Sequence, residues 1–171
     1  MIFLTSFAPD HKNTGAQEIA LQTLLKIPNS RVISFNHPSE ARMVRRQYPS
    51  VEVFETQQTA ETLYKKPYVR ITAFMDWVDN NKDVEVFTLI NSDIIADQTA
   101  SKWEMIEEAV KGGSCIIGQR YDFNDYGNIL KAQRQPWGVD MFVLNRQHTK
   151  YLKDPIYAMG QPWWDYWLPF T

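Results

Sequence analysis

The sequence contains only one cysteine, Cys115, which excludes an internal disulfide and a zinc site built from several cysteines. Charge of one sign is not in excess either, since 18 Lys and Arg residues face 20 Asp and Glu residues, for a formal net charge of −2. A chain with this balance lacks the global basic field with which nucleic-acid-binding proteins attract their ligand. We therefore expect no nucleic acid among its partners.

Long hydrophobic runs are also missing from the sequence. No apolar stretch reaches the roughly 18 to 20 residues that a membrane span requires. Residues 1–8 form a short apolar run with no basic segment before it, which is typical of a first strand and not of a signal peptide. The sequence thus predicts no membrane span, and its single cysteine favours a cytoplasmic location.

The composition is otherwise that of a globular protein, with 44% hydrophobic and 22% charged residues. Aromatic residues make up 13% of the chain and include 6 Trp, which indicates a bulky core or platforms for flat ligands and sugars. A length of 171 residues suits one domain. We expect residues 1–171 to form that domain, in a form that is minimal or truncated at its carboxyl end.

Short β-rich segments alternate with segments of helical periodicity along the chain. Strands are predicted at residues 2–7, 31–35, 51–55, 84–90, 114–119 and 139–144, and helices at residues 14–26, 39–48, 67–80, 101–111 and 146–152. The almost wholly apolar run at 84–90 suits a strand of a parallel sheet that is covered on both faces. Alternation of this kind favours right-handed βαβ units. The predicted fold is a single-domain, Rossmann-like α/β/α sandwich with a mainly parallel, mixed sheet.

Local signals predict three further features of this fold. Pro67 is expected in the first turn of the helix that ends near Asn80. Ser101 with Glu104 fits a capping box at the start of the next helix. The polar residues 56–66 are predicted to form a loop.

Polar side chains occur at four predicted strand ends, which is where open α/β sheets bind ligands. They lie at residues 6–10, 91–93, 120–122 and 138–140. The sequence has no G-x-G-x-x-G and no Walker A motif, which argues against classical dinucleotide binding and P-loop hydrolysis. Asp93 follows a buried strand, and its carboxylate suits Mg²⁺ or Mn²⁺ held together with a substrate diphosphate. The alternative is that Asp93 caps a turn or the next helix.

Two of these strand ends carry charged side chains that need a partner or a ligand. Arg120 and Asp122, two positions apart, leave a strand on the same face, where Arg120 would clamp a phosphate or form a structural salt bridge. Asp140 lies one residue into an apolar strand, and a buried carboxylate there needs a partner. Gly138, two positions before it, permits a close approach of a ligand or an unusual backbone angle.

An aromatic segment near the end of the chain contains one carboxylate. Asp165 follows Trp163 and Trp164, and apolar surroundings strengthen a carboxylate as the general base for an acceptor hydroxyl. The two Trp rings would form the acceptor platform, because aromatic faces pack against sugar rings. The alternative is an aromatic cluster that closes the core.

Arg70, in the predicted helix before the strand at 84–90, would reach a nucleotide phosphate or remain solvated.

The motifs and their order resemble the GT-A class of nucleotide-diphospho-sugar transferases, from about Pro67 to Leu168. More narrowly, they resemble a glycosyltransferase-like group with a WDxWL ending. The residues that carry the resemblance are Asn91-Ser92-Asp93-Ile94, Gly118-x-Arg120-x-Asp122, Gly138-x-Asp140-x-Phe142 and Gly160-x-x-x-Trp164-Asp165-x-Trp167-Leu168.

The resemblance implies roles for individual residues. Residues 91–93 take the place of the D-x-D triplet that holds a divalent metal on the diphosphate, which makes Asp93 the ligand of Mn²⁺ or Mg²⁺. Arg70 matches a basic residue that contacts the nucleotide, Ser6 would lie near the base, and Asp165 falls at the catalytic carboxylate. The chain departs from the pattern in having Asn91 as the first residue of the triplet and no histidine after His148.

The sequence thus predicts metal-dependent transfer of a sugar from a nucleotide-sugar donor to the hydroxyl of a carbohydrate or other acceptor. The donor-side residues are Ser6, Arg70, Asn91, Ser92, Arg120, Asp122 and Asp140. The alternative is a GT-A-like binding or interaction module that has lost the chemistry. A nucleotidyltransferase is a poorer match, because residues 6–15 hold one Gly and one Lys in place of its Gly-rich basic loop.

Overall fold

The structure, a computed structural model, describes residues 1–9, 14–96, 98–122, 132–154, 156–161 and 164. Strands and helices alternate through most of it. In chain order they are β1 (Ile2–Thr5), α1 (Thr14–Leu25), β2 (Arg31–Asn36), α2 (Pro38–Gln47), β3 (Glu52–Glu55), α3 (Glu61–Tyr64), α4 (Ile71–Asn80), β4 (Val86–Ile90), α5 (Ala100–Lys111), β5 (Ile116–Asp122), β6 (Gln133–Asn145) and a 3₁₀ helix (Arg146–Tyr151).

The described strands form one six-stranded sheet in the order β3-β2-β1-β4-β6-β5. Neighbours from β3 to β4 are parallel, whereas β6 is antiparallel to both β4 and β5. The predicted mainly parallel, mixed sheet is confirmed. Strand order reverses at β1, with β2 on one side and β4 on the other, so a topological switch point lies between the carboxyl ends of β1 and β4.

Helices cover both faces of the sheet. Adjacent strand residues point to opposite faces, so that Leu4 and Phe142 pack with α4, whereas Phe3 and Val143 pack with α1, α2 and α5. All four side chains are fully buried. The predicted α/β/α sandwich is therefore confirmed.

Two helix starts differ from the predictions. Arg70 is extended (φ −67°, ψ 146°), and it forms a β-bridge with Ala158, so α4 begins at Ile71 and not at Pro67. The cap of α5 is Thr99, whose Oγ1 accepts a hydrogen bond from the backbone N–H of Lys102 at 3.3 Å. The predicted capping box at Ser101 is therefore wrong by two residues.

The predicted loop at 56–66 contains a short helix, α3, which is followed by Lys65 in the left-handed region (φ 60°). A larger difference concerns β6, which begins at Gln133 instead of residue 139. Its first residues pair with β5 alone, whereas β4 ends opposite Met141. The β5–β6 ribbon consequently extends beyond the carboxyl end of β4. In the ranges that the structure covers, none of the helices has the length and apolar character needed to cross a membrane.

Candidate functional site

A tight turn follows β4 at the switch point. All five residues of β4 are buried, and the backbone N–H of Ile94 then donates to the carbonyl of Asn91 at 3.2 Å. Ser92 and Asp93 occupy the two central positions of this turn, and Asp93 is exposed. The turn therefore presents the predicted metal ligand at the carboxyl edge of the sheet.

Asp140, on β6, fixes the residue that begins this turn. Its backbone carbonyl accepts from the N–H of Asn91 at 3.2 Å, and its Oδ1 accepts from Nδ2 of Asn91 at 2.7 Å. Ile90 pairs with Met141, so the antiparallel strand places Asp140 beside residue 91, although the two are 49 positions apart. Asp140 is only 4% exposed, and Asn91 is one of the partners that its buried carboxylate requires.

Arg120 is the second partner of Asp140. Nη1 of Arg120 donates to Oδ2 of Asp140 at 3.0 Å, and its Nε donates to Oδ1 of Asp122 at 2.8 Å. Burial alone would lower the pKa of Arg120, but the hydrogen bonds and charges of Asp140 and Asp122 outweigh it and raise that pKa above its ordinary value. One cation thus serves two carboxylates. We call Asn91, Arg120, Asp122 and Asp140 the Asp140 network.

Gly138 provides the space in which Arg120 lies. A Cβ atom at position 138 would be 2.9 Å from Cβ of Gln135 and 3.0 Å from Cβ of Arg120. The close approach that the sequence predicts at Gly138 is thus made in this structure by side chains of the chain itself.

Replacing Gly138 with Ala should lower the free energy of unfolding by about 1 to 3 kcal/mol, because the added methyl group must displace the Arg120 side chain. Urea unfolding followed by tryptophan fluorescence measures the change. Gly112→Ala is the matched control, since its Cβ would come no nearer than 3.3 Å to a backbone oxygen. Equal effects of the two substitutions would contradict the proposed crowding of Arg120.

Gln17, which sequence reasoning missed, joins the two loops of the switch point. It is fully buried in α1. In the orientation that satisfies all its neighbours, its amide nitrogen donates to Oη of Tyr48 at 2.8 Å and to the carbonyl of Ala8 at 3.1 Å. Its amide oxygen accepts from the N–H of Ala8 at 3.2 Å and from Oγ of Ser92 at 2.7 Å. One side chain therefore sets the spacing between the loop after β1 and the turn after β4.

A signal for Gln17 does exist in the sequence. It lies three, four and seven positions before Ala20, Leu21 and Leu24, all of which are buried. A polar residue on the apolar stripe of a helix must find partners when it is buried.

Ser6 and Arg70 also lie at the carboxyl edge. Oγ of Ser6 donates to the carbonyl of Phe35 at 2.8 Å. Nε of Arg70 donates to the carbonyl of Thr59 at 2.8 Å. Arg70 immediately precedes α4, whose N-terminus is at this edge because the helix leads back to the start of β4. The structure thus places both residues at the predicted edge, each anchored to a backbone carbonyl.

The predicted acceptor side is described only at Trp164, since Trp163 and Asp165 lie outside the described residues. Trp164 is 2% exposed, and its ring meets that of Phe142 with centroids 5.6 Å apart. This position fits the alternative that the sequence left open, an aromatic cluster closing the core.

The turn after β4 offers few side-chain ligands for a metal ion. In the part of the chain that the structure covers, no group of three or more His, Cys, Asp and Glu side chains could hold a metal ion. Asp122 and Asp140 already accept from Arg120. At the turn itself, Asp93 contributes one carboxylate and Asn91 one amide oxygen, and a Mg²⁺ or Mn²⁺ ion held there would take its other ligands from a diphosphate and water.

Comparisons with known proteins extend the fold assignment. No family model matches the chain, and no curated protein does. Among solved structures, it resembles a 4-diphosphocytidyl-2C-methyl-D-erythritol synthase at 8% identity and a TM-score of 0.47, over 99% of this chain and 97% of that one. It also resembles a cytidylyltransferase from Leptospira borgpetersenii at 10% identity and a TM-score of 0.54, over 99% of this chain and 68% of that one. The second likeness shows that the chain shares its fold with that cytidylyltransferase.

Proposed function

We propose that this protein transfers a sugar from a nucleotide-sugar donor to an acceptor hydroxyl, with Mn²⁺ or Mg²⁺ as cofactor. The observation that carries the proposal is the Asp140 network, which lies beside the 91–94 turn at the switch point. Sheets of this topology bind nucleotides at such a point. The cytidylyltransferase fold supports a ligand with a nucleotide part, and the sequence motifs favour sugar transfer.

Departure of a nucleoside diphosphate builds negative charge on phosphate oxygens, and fixed positive groups stabilise that charge. When bound, the divalent cation neutralises part of this charge. Asp93 would hold the cation, and Arg120 and Arg70 would position the phosphates. Ser6 would lie near the base, and Ser92 near the diphosphate. Asp122 and Asp140 keep the Arg120 guanidinium in place.

On the acceptor side, we propose that Asp165 takes the proton of the attacking hydroxyl. The acceptor would be a carbohydrate or another hydroxyl compound, with Trp163 beside it. These assignments rest on the sequence motifs alone.

A second candidate is nucleotidyl transfer, which the fold of the cytidylyltransferase favours. In that case the chain would use a nucleoside triphosphate and release pyrophosphate. The weak point of this candidate is the loop after β1, which lacks a Gly-rich basic sequence.

Thermal-shift measurements with nucleoside diphosphates, nucleotide-sugars and nucleoside triphosphates, each with and without Mn²⁺, test the proposal. A ligand present at one hundred times its Kd stabilises the native state by about 2.7 kcal/mol. We expect a Mn²⁺-dependent shift with one nucleotide-sugar, followed by release of its nucleoside diphosphate when an acceptor is present. Binding without release would favour a module that has lost the chemistry, pyrophosphate release would favour the second candidate, and no shift with any donor would contradict the proposal.

Replacing Asp93 with Ala should abolish transfer and weaken Mn²⁺-dependent nucleotide binding by about tenfold or more, because the turn loses its carboxylate ligand. Calorimetry with and without Mn²⁺ measures the change. Asp83→Ala is the matched control, since Asp83 is also exposed but precedes β4 at the opposite edge of the sheet. Unchanged turnover in Asp93→Ala would remove Asp93 from the metal site.

A further inference from the structure

We infer that Asn91 and Asp140 form a matched pair, in which Asp140 supplies from β6 the negative charge that a D-x-D triplet carries on the loop itself. Asp140 is then a positioning residue, since it acts on the donor site through Asn91. This inference rests on the proposed function, because it assigns how the donor site is charged and which atom of Asn91 meets the ligand.

The geometry decides the orientation of the Asn91 amide. A carboxylate with a guanidinium on its other oxygen only accepts hydrogen bonds, so the group of Asn91 that lies 2.7 Å from Oδ1 of Asp140 must be the NH₂. The amide oxygen is consequently turned away from Asp140. The backbone hydrogen bond between the same two residues, at 3.2 Å, holds this arrangement from a second point.

The same geometry explains why residue 91 is not an aspartate. A carboxylate at position 91 would face the carboxylate of Asp140 at hydrogen-bond distance, with no proton between them. Asp140 is 4% exposed, so water would screen this repulsion poorly. Arg120 could not neutralise the additional anion, because it already bridges Asp122 and Asp140. An asparagine is the residue of the same shape that can donate to Asp140.

The pairing with Asp140 also changes how strongly the amide oxygen of Asn91 can bind a cation. An amide whose NH₂ donates to an anion becomes a better acceptor at its oxygen, since hydrogen bonds in series polarise one another. The turn then offers one anionic oxygen donor, from Asp93, and one polarised neutral donor, from Asn91. Such a set binds a divalent cation weakly by itself and requires diphosphate oxygens to complete the coordination. We therefore expect Mn²⁺ and the nucleoside diphosphate to bind cooperatively.

Exchanging the two residues tests the pair. Asn91→Asp, Asp140→Asn and the double variant N91D/D140N are compared with the unaltered protein. The readouts are the urea midpoint and Mn²⁺ binding, followed by the EPR signal of the free ion, alone and with UDP, CDP, GDP or ADP. Each single variant should lower the urea midpoint, because it places two carboxylates or two amides face to face, and Asp140→Asn should also weaken Mn²⁺ binding in the presence of the diphosphate by about tenfold, because it removes the anion that orients the Asn91 amide.

The double variant restores the hydrogen bond with its direction reversed, and the amide oxygen that it introduces at position 140 still accepts from Arg120. It should therefore bind Mn²⁺ with the diphosphate as the unaltered protein does, and Mn²⁺ alone more tightly, because the turn then carries two carboxylates. Asn91→Ala, which adds no charge, replaces Asn91→Asp if that variant does not fold, and it should also lose the cooperativity. Asp83→Asn controls for the loss of one negative charge in Asp140→Asn.

The outcomes separate this inference from the proposed function. If the effects of N91D and D140N simply add in the double variant, the pair is overturned, whereas Mn²⁺-dependent nucleotide binding by the unaltered protein still supports the proposed function. If the unaltered protein binds no nucleoside diphosphate with Mn²⁺, the proposed function fails, and with it the donor-site role of the pair. Recovery of both Mn²⁺ binding and the urea midpoint in the double variant supports the inference.

Discussion

Replacing Arg120 with Met should lower the free energy of unfolding by about 3 kcal/mol, because it leaves the buried carboxylate of Asp140 without its cation. Asn91 would still donate one hydrogen bond to Asp140, but a neutral donor does not balance a charge that is 4% exposed. Urea unfolding near neutral pH, followed by tryptophan fluorescence, measures the loss.

The exposed partner of Arg120 provides the control. The side chain of Asp122 is 48% exposed against 5% for that of Asp140, although both lie within 3.0 Å of the guanidinium. Asp122→Asn should therefore cost less than about 1 kcal/mol, as is usual for an ion pair open to solvent. The double variant R120M/D140N should recover part of the loss, since it removes the isolated charge. Similar losses in Asp122→Asn and Arg120→Met would show that burial of Asp140 does not govern the energy of this network.

Replacing Trp164 with Ala should destabilise the protein by about 3 to 5 kcal/mol, because it removes a large buried side chain that packs against Phe142. Trp164→Phe should cost less, since it keeps an aromatic ring in the cluster. Thermal and urea unfolding of the two variants measure the difference.

An exposed aromatic residue is the matched control for Trp164. Tyr151 is 56% exposed, so Tyr151→Ala should change the free energy of unfolding by no more than about 0.5 kcal/mol. If Trp164→Ala behaved in the same way as Tyr151→Ala and lost only acceptor binding, Trp164 would be a platform and not part of the core.

The strands and helices that the sequence predicted are those whose own residue pattern shows how they are buried. β4 is recognisable because five buried residues in succession leave no polar face. The first half of β6 is not, because its Gln, Arg and Pro residues resemble a loop. That half is extended because of its partner β5, with which it pairs beyond the end of β4. Such pairing is a property of two segments together, and periodicity in one segment cannot show it.

The candidate site shows the same division. The sequence singled out Asn91, Arg120 and Asp140 because each is a polar residue at the edge of an apolar run. It did not show that they touch, since the contacts of Asp140 span 20 and 49 positions and arise from the antiparallel direction of β6. Pairing of Arg120 with Asp122 was foreseeable, because residues two apart in a strand share a face.

Because Asp140 lies within a strand, its backbone becomes ordered when the protein folds, before any ligand binds. Fixing one residue of backbone costs about 1 to 2 kcal/mol in conformational entropy, and a ligand that must immobilise a loop loses that amount from its affinity. Asp140 lies in β6 between the paired residues Val139 and Met141, and its carbonyl accepts from the N–H of Asn91, so its backbone entropy is lost when the chain folds and not when the ligand arrives. The turn that it anchors through Asn91 is therefore preorganised by folding, and a ligand that binds this turn keeps more of its interaction energy as affinity.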